Sequence, residues 1–290
     1  MRRLAAGLAG LGMLGALAAC AGRGTATAPD PGAAATKAAT STTAARAARA
    51  AGSKQHDAHL SGRQLNLAVY YIRTWRGHRY LAPEWHQVPY TRMVAAAALG
   101  ELLGGQPLFP GTQRPFPAGA QLRGVSIEAG TATVDLSGSA LPGGTAGPWR
   151  LQALVHTLVQ FPTVRRVKVE REGRAVAGPL TRDASLPLAP IALAHPAPGV
   201  QVKGDRIVVK GEASVFEGTV GLRLRDDHGR VMAQSYATAA EGAPGRGPFS
   251  GALSFTPPAA AHAWTVEAFE VSAEDGAITY AVTVPVWVGR

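Results

Sequence analysis

Leu65 to Ile72 is a run of large and β-branched apolar residues of strand length. Arg79 to Val88 reads as a second strand, bent at Pro83. The period then changes. From Thr91, a candidate cap, Val94, Ala98, Leu99, Leu102 and Leu103 form one stripe of a helix that Gly104-Gly105 stop. Gln121–Ile127 and Ala132–Leu136 predict a hairpin turning at Ala129-Gly130. Pro148 suits the first turn of a second helix, whose apolar face is Leu151, Leu154, Val155 and Leu158 and which Pro162 ends. Val164, Val167 and Val169 then alternate with basic residues up to Glu170, as a half-solvated strand would. The order β-β-α-β-β-α-β over residues 61–178 predicts a small mixed sheet with two helices on one face, an α+β domain.

After a Pro-containing connector, 179–190, the helical period disappears. Val220, Leu222 and Leu224, then Phe249, Leu253 and Phe255, then Trp264, Val266 and Ala268 alternate with small or polar residues. Asp226–Gly229 and Ala273–Gly276 are turns. Ile278, Tyr280, Val282, Val284, Val286 and Val288 line one face of a last strand, with Pro285 on the other face hinting at an edge. Residues 191–290 therefore predict an all-β immunoglobulin-like sandwich of about seven strands.

Before residue 61 neither period is present. Residues 20–60 are Ala, Thr, Gly and Pro with scattered charge, too apolar-poor to bury a core, and read as a tether. Met1-Arg2-Arg3 leading into the uncharged run Leu4–Ala18 has the layout of an export signal over 1–19. As a helix that run spans about 22 Å, short against a bilayer core of about 30 Å. It ends in Leu17-Ala18-Ala19-Cys20, which resembles the lipobox of bacterial lipoproteins. The resemblance implies a diacylglyceryl group on Cys20 and anchorage to the outer face of the cell membrane. The twin arginines, Arg2 and Arg3, suggest the folded-protein export route, which the residues after Arg3 fit poorly. Cys20 is the only cysteine, which excludes an intramolecular disulfide and a thiolate metal cluster.

The net charge is +10 and unevenly placed. Residues 61–190 carry fourteen basic and seven acidic side chains, whereas 191–290 carry eight and ten. Basic character invites a nucleic-acid reading, but an export signal argues against it. The polyanions outside a membrane are lipid headgroups and wall polymers, and each nearby Lys or Arg contributes about 1 kcal/mol towards such a surface. Arg165, Arg166, Lys168, Arg171 and Arg174 are the densest cluster and the candidate patch, unless they only solubilise the surface.

Two further resemblances cover most of residues 65–290. Phe116–Leu122, Thr133–Ser137 and His156–Val167 make the first domain similar to the GerMN domain of sporulation and germination proteins. Gly211–Val220, Gly247–Ser250 and Glu267–Gly276 make the second resemble the immunoglobulin-like domain of bacterial spore germination. The resemblances imply a protein of the cell envelope and supply no catalytic residue. Gly105–Leu108 keeps the family's loop character only loosely.

Candidate chemistry is thin. Glu84 and His86 share a strand face, which reads as an exposed face or as half an acid–base or metal site. His156 falls on the polar side of the second helix with Gln152 and Gln160. Asp135, Ser137 and Ser139 lack a nucleophile elbow. Gly143–Gly147 lacks the lysine of a phosphate-binding loop. Glu217, Glu270, Glu274 and Asp275 offer oxygens without the spacing of a calcium loop. The sequence thus predicts no enzyme, no metal and no cofactor. It predicts a lipid-anchored binding or scaffold protein whose partners are the membrane, through Cys20, and wall polymers or envelope proteins. A wall hydrolase or amidase and a solute-binding lipoprotein are the alternatives.

Overall fold

The computed structural model describes residues 62–142 and 147–289. Cys20, the tether and loop residues 143–146 lie outside the described residues. No helix among the described residues is long and apolar enough to cross a membrane.

The first domain is built on a long hairpin, β1 (Gln64–Trp75) and β2 (His78–Pro89), paired without interruption from Gln64↔Pro89 to Trp75↔His78. Pro83 does not break it: Tyr70 lies opposite in register. Helix α1 (Val94–Gly104) comes next. Thr91 is not its cap; Met93 holds that position, and the Thr91 hydroxyl accepts the Met93 amide at 3.0 Å. Short β3 (Thr112–Gln113) pairs with the end of β1. Strands β4 (Leu122–Glu128) and β5 (Thr131–Leu136) form the expected hairpin. Ala129 and Gly130 both have positive φ, 47° and 80°, the twist a two-residue hairpin turn requires. Helix α2 (Pro148–Leu158) starts at its proline. Strand β6 (Arg166–Arg171) lies parallel to β5, and β7 (Arg174–Leu180), which the sequence does not suggest, pairs with β6 across a turn at Glu172-Gly173.

The strands make two sheets instead of the expected single one, β2-β1-β3 and the mixed sheet β4-β5-β6-β7. Both helices touch both sheets: α1 packs on β1 and β4, α2 on β1 and β6. Their apolar residues therefore meet Val69 and Tyr71 on one side and Val134, Leu136 and Val167 on the other in one core. A helix covered on two sides has little solvent face, and this decides the surroundings of His156.

The second domain contains β8 (Ile191–His195), β9 (Gln201–Val202), β10 (Arg206–Ala213), β11 (Thr219–Arg225), β12 (Val231–Thr238), β13 (Gly247–Ser254), β14 (His262–Val271) and β15 (Ile278–Val288). They form a sandwich of β13-β10-β8 against β12-β11-β14-β15-β9. Alternation along β15 is as expected: Tyr280, Val282, Val284, Val286 and Val288 are buried. Pro285 is exposed, but β15 is not the edge, because β9 pairs beyond it at Trp287 and Val288. The Pro285 carbonyl accepts the Gly199 amide, so the side lacking an N–H faces a loop, and no bond to β14 is lost. Gly221 has a packing role: a Cβ there would sit 2.4 Å from the Phe269 ring, over which Arg223 lies at 4.4 Å.

The domains are continuous with each other, within one compact unit from Leu60 to Arg290. The connector runs beside β2, with Leu81 N–H donating to Pro187 O and Ala189 N–H to Leu81 O at 2.9 and 2.8 Å. Ala82 and Phe109 of the first domain belong to the core of the second, and Trp75 and Tyr80 pack against it, each beside the Tyr280 ring.

Candidate functional site

Glu84 and His86 are not on an exposed face. They are 1% and 6% exposed: Glu101 near the end of α1 meets His86, and the loop after α1, with Ile191–Leu193 of the second domain, covers Glu84. His86 Nδ1 lies 2.9 Å from Glu101 Oε2 on α1. His86 Nε2 faces Glu84 Oε2 at 3.9 Å. The rest of the cluster is tied to backbone. Glu84 accepts the Leu108 amide at 2.5 Å, and the Tyr71 hydroxyl donates to the Glu101 carbonyl at 3.0 Å. Burial, then the two carboxylates, push the Tyr71 phenol well up. Gly105 leaves room for Glu101: a Cβ would come within 2.6 Å of its Oε2. An imidazole between two carboxylates could relay a proton, but here its partners are the groups that fasten α1 to β2. Among the described residues no three His, Cys, Asp or Glu side chains are placed to hold a metal.

His156 is not on a polar surface either. It is 3% exposed and stacked at 5.0 Å on Tyr70. Burial, then the charge of Arg182, lower it to about 4. Its neighbours explain why a polar stripe is buried. Beyond its short pairing with β3, the outer edge of β1 has no strand beside it, and α2 takes the place of one. Gln160 Oε1 accepts the Ala68 amide at 3.1 Å while its Nε2 donates to the Ala68 carbonyl at 2.6 Å. Thr157 Oγ1 accepts the Tyr70 amide at 3.0 Å. Gln152 does the same for the connector, donating to Thr181 O and accepting from Asp183 N–H, both at 3.0 Å.

Asp135, Ser137 and Ser139 fix a turn. The Gly173 amide, and then Arg123, hold the Asp135 carboxyl below its usual range. Ser137 accepts the Gln121 amide, and Ser139 donates to Gly119 O. The four acidic residues of the second domain do not converge. Glu270 accepts from Phe216 N–H and Thr279 Oγ1, and Asp275 from the Ala277 amide. Of the Gly-rich loop only Gly147 is described, as the residue before α2.

The five basic residues are strung along one strand and its turn. The five steps of strand from Arg166 to Arg171 cover about 16 Å. Arg165 and Arg166 are exposed at one end, their amides both bonded to Gly130 O; Arg174 is exposed at the other. Between them Lys168 is paired with Glu170 at 3.0 Å, and Arg171 is half-buried.

Sequence reasoning missed an open groove of about 600 Å³ where the domains meet. Trp85 of β2 forms one wall, and Lys210, Glu212 and Ser250 on the outward face of β10 and β13, with Thr238, line the rest. No local pattern signals it, because its residues come from two domains.

Two family models match separate stretches of the chain. Residues 68–177 match the family "Sporulation and spore germination", and residues 190–277 match "Immunoglobulin-like domain of bacterial spore germination". Among solved structures, the tandem GerMN domains of the sporulation protein GerM from Bacillus subtilis are 23% identical with a TM-score of 0.38. That match covers 41% of this chain and 46% of that one, so it spans less than half of the tandem protein. The first GerMN domain alone is 23% identical with a TM-score of 0.34, covering 41% of this chain and 96% of that one. No curated protein matches at a significant level. The first domain is thus similar to the sporulation and spore germination family and the second to the immunoglobulin-like domain of bacterial spore germination, each over its own matched residues.

Proposed function

We propose that the chain is a lipid-anchored, non-catalytic binding or scaffold protein on the outer face of a bacterial cell membrane, of the sporulation and germination type. The observation that carries this reading is where the buried ionisable groups go. His86, Glu84 and Glu101 join α1 to β2, and His156 packs on Tyr70 beside residues that close the edge of β1. The side chains best suited to acid–base work are built into the frame of the first domain. Anchorage rests on Leu17-Ala18-Ala19-Cys20. The exposed end of β6, with Arg165 and Arg166, is the surface for anionic wall polymer or headgroups.

Two measurements test the reading. Cys20→Ala should shift the protein from the membrane fraction to the medium or leave it unprocessed; unchanged partition into detergent argues against the anchor. Zymography of the full chain on wall material should show no clearing, and lytic activity sinks the non-catalytic reading in favour of a hydrolase. A solute-binding lipoprotein is the second reading, favoured by the groove between the domains.

A further inference from the structure

We propose that the groove between the domains is a saccharide-binding site, with Trp85 as its stacking platform and Lys210, Glu212, Thr238 and Ser250 as its hydrogen-bonding floor. A sugar ring has an apolar C–H face and a rim of hydroxyls. An indole offers a broad, flat apolar face to the first. A few fixed polar side chains serve the second. Trp85 and Glu212 are half-buried, and Lys210, Thr238 and Ser250 are exposed, so the groove presents both kinds of surface together. Lys210 and Glu212 stand two residues apart on β10, roughly 7 Å, and so meet opposite edges of a ring.

The lining also excludes other ligands. It carries one acid and one base, whereas residues 61–190 are strongly basic, so a polyanion is better served elsewhere. An extended peptide adding as a strand needs free backbone groups. The strand that carries Lys210 and Glu212 has used its own, with β13 on one side and β8 on the other, and on the outer strand β13 Ala240 N–H donates to Pro248 O. Over β10, recognition falls to side chains, and a peptide that adds to the β13 edge is one of the outcomes tested below. The wall is also fixed relative to the floor. The connector is bonded to β2 at Leu81, and Arg246 from the loop before β13 donates to Ala189 O. A site held by such a seam is preorganised, which lowers the ordering entropy of binding.

The proposed binding role explains where such a site would meet a glycan, but the site is tested on purified protein and stands apart from the anchor. The full chain in detergent is titrated by calorimetry with a chitooligosaccharide, with a polyglycerol phosphate and with an unrelated extended peptide. Saturable binding of the chitooligosaccharide is expected, weakened at least about tenfold, roughly 1.4 kcal/mol, by Trp85→Ala. Trp287→Ala, at an exposed tryptophan away from the groove, should leave it unchanged. Should Trp85→Ala fail to fold, Ser250→Tyr fills the floor from a solvent-facing position and should give the same loss. Absence of saturable binding, equal binding by both groove variants, or binding only of the phosphate polymer or the peptide overturns the assignment. Cys20→Ala should alter fractionation and not this affinity, so failure of the anchor and failure of the site are read separately.

Discussion

Folding places both ring nitrogens of His156 where no donor or acceptor reaches them among the described residues. Burial, then Arg182, lower the group from 6.5 to about 4. Between those values the unfolded chain binds more protons than the folded one. Stability is therefore full above about pH 6.5, falls as pH drops towards about 4, and levels below it. A shift of that size corresponds to something on the order of 3 kcal/mol. His156→Phe keeps a ring against Tyr70 and removes the titration. Its urea midpoint should hold up better than wild type as pH falls from about 7 to about 4, and parallel pH curves for the two proteins would count against this account. The same residue shows what a sequence hides. His156, Gln152 and Gln160 lie on the polar side of an amphipathic helix, and hydrophobicity alone sends that side to water. A second covering layer and an edge strand in need of partners send it inside.

At the scale of elements, legibility tracked how local the cause is. The Ala129-Gly130 turn, the proline start of α2 and the alternation of β15 depend on residues close in sequence, and all three are readable there. Strand β7 was not, because Gly178-Pro179 reads as a breaker; it lies at a sheet edge, where a missing amide is tolerated. The burial of Glu84 and His86 depends on Glu101, the loop after α1 and the second domain, all outside the strand, so no pattern in β2 reveals it. The groove was wholly invisible for the same reason. The pairing of α2 with the edge of β1 is also non-local and makes a specific prediction. Gln160→Leu leaves both backbone groups of Ala68 without their partner, and an unmet buried group costs about 1–3 kcal/mol. Thr157→Val does this for the Tyr70 amide alone. Denaturant unfolding should show the larger loss for Gln160→Leu. Hydrogen exchange should speed up at Ala68 in one variant and at Tyr70 in the other. Unaltered exchange at both amides would mean that the helix packs on β1 without completing its hydrogen bonding.

For the molecule as a whole the question is whether two domains behave as one. Interfaces between domains of one chain often leave room for relative motion. Here the seam has the character of an interior. Arg73 is buried, donating to Pro110 O at 2.9 Å within its own domain and to Ala281 O at 3.4 Å in the other. Trp75 Nε1 donates to Thr279 O at 3.2 Å. Tyr280, pushed up to about 12 by burial, has Tyr80 at its ring edge, and Ala82 and Phe109 sit in the second domain's core. Removing either domain would expose all of these at once, which couples their unfolding. Calorimetry on the full chain should therefore give one cooperative transition with equal calorimetric and van't Hoff enthalpies. Arg73→Ala takes the central donor from two carbonyls in two domains, and Trp75→Ala takes the largest side chain from the seam. Combined, they should split that transition in two or broaden it until the van't Hoff enthalpy falls below the calorimetric one. Because Trp85 and the β10–β13 floor are held in place across this seam, the same double variant should also weaken groove binding without touching a groove residue. Two well-separated transitions in the wild type would overturn the single-body description, and with it the fixed wall and floor on which the groove depends.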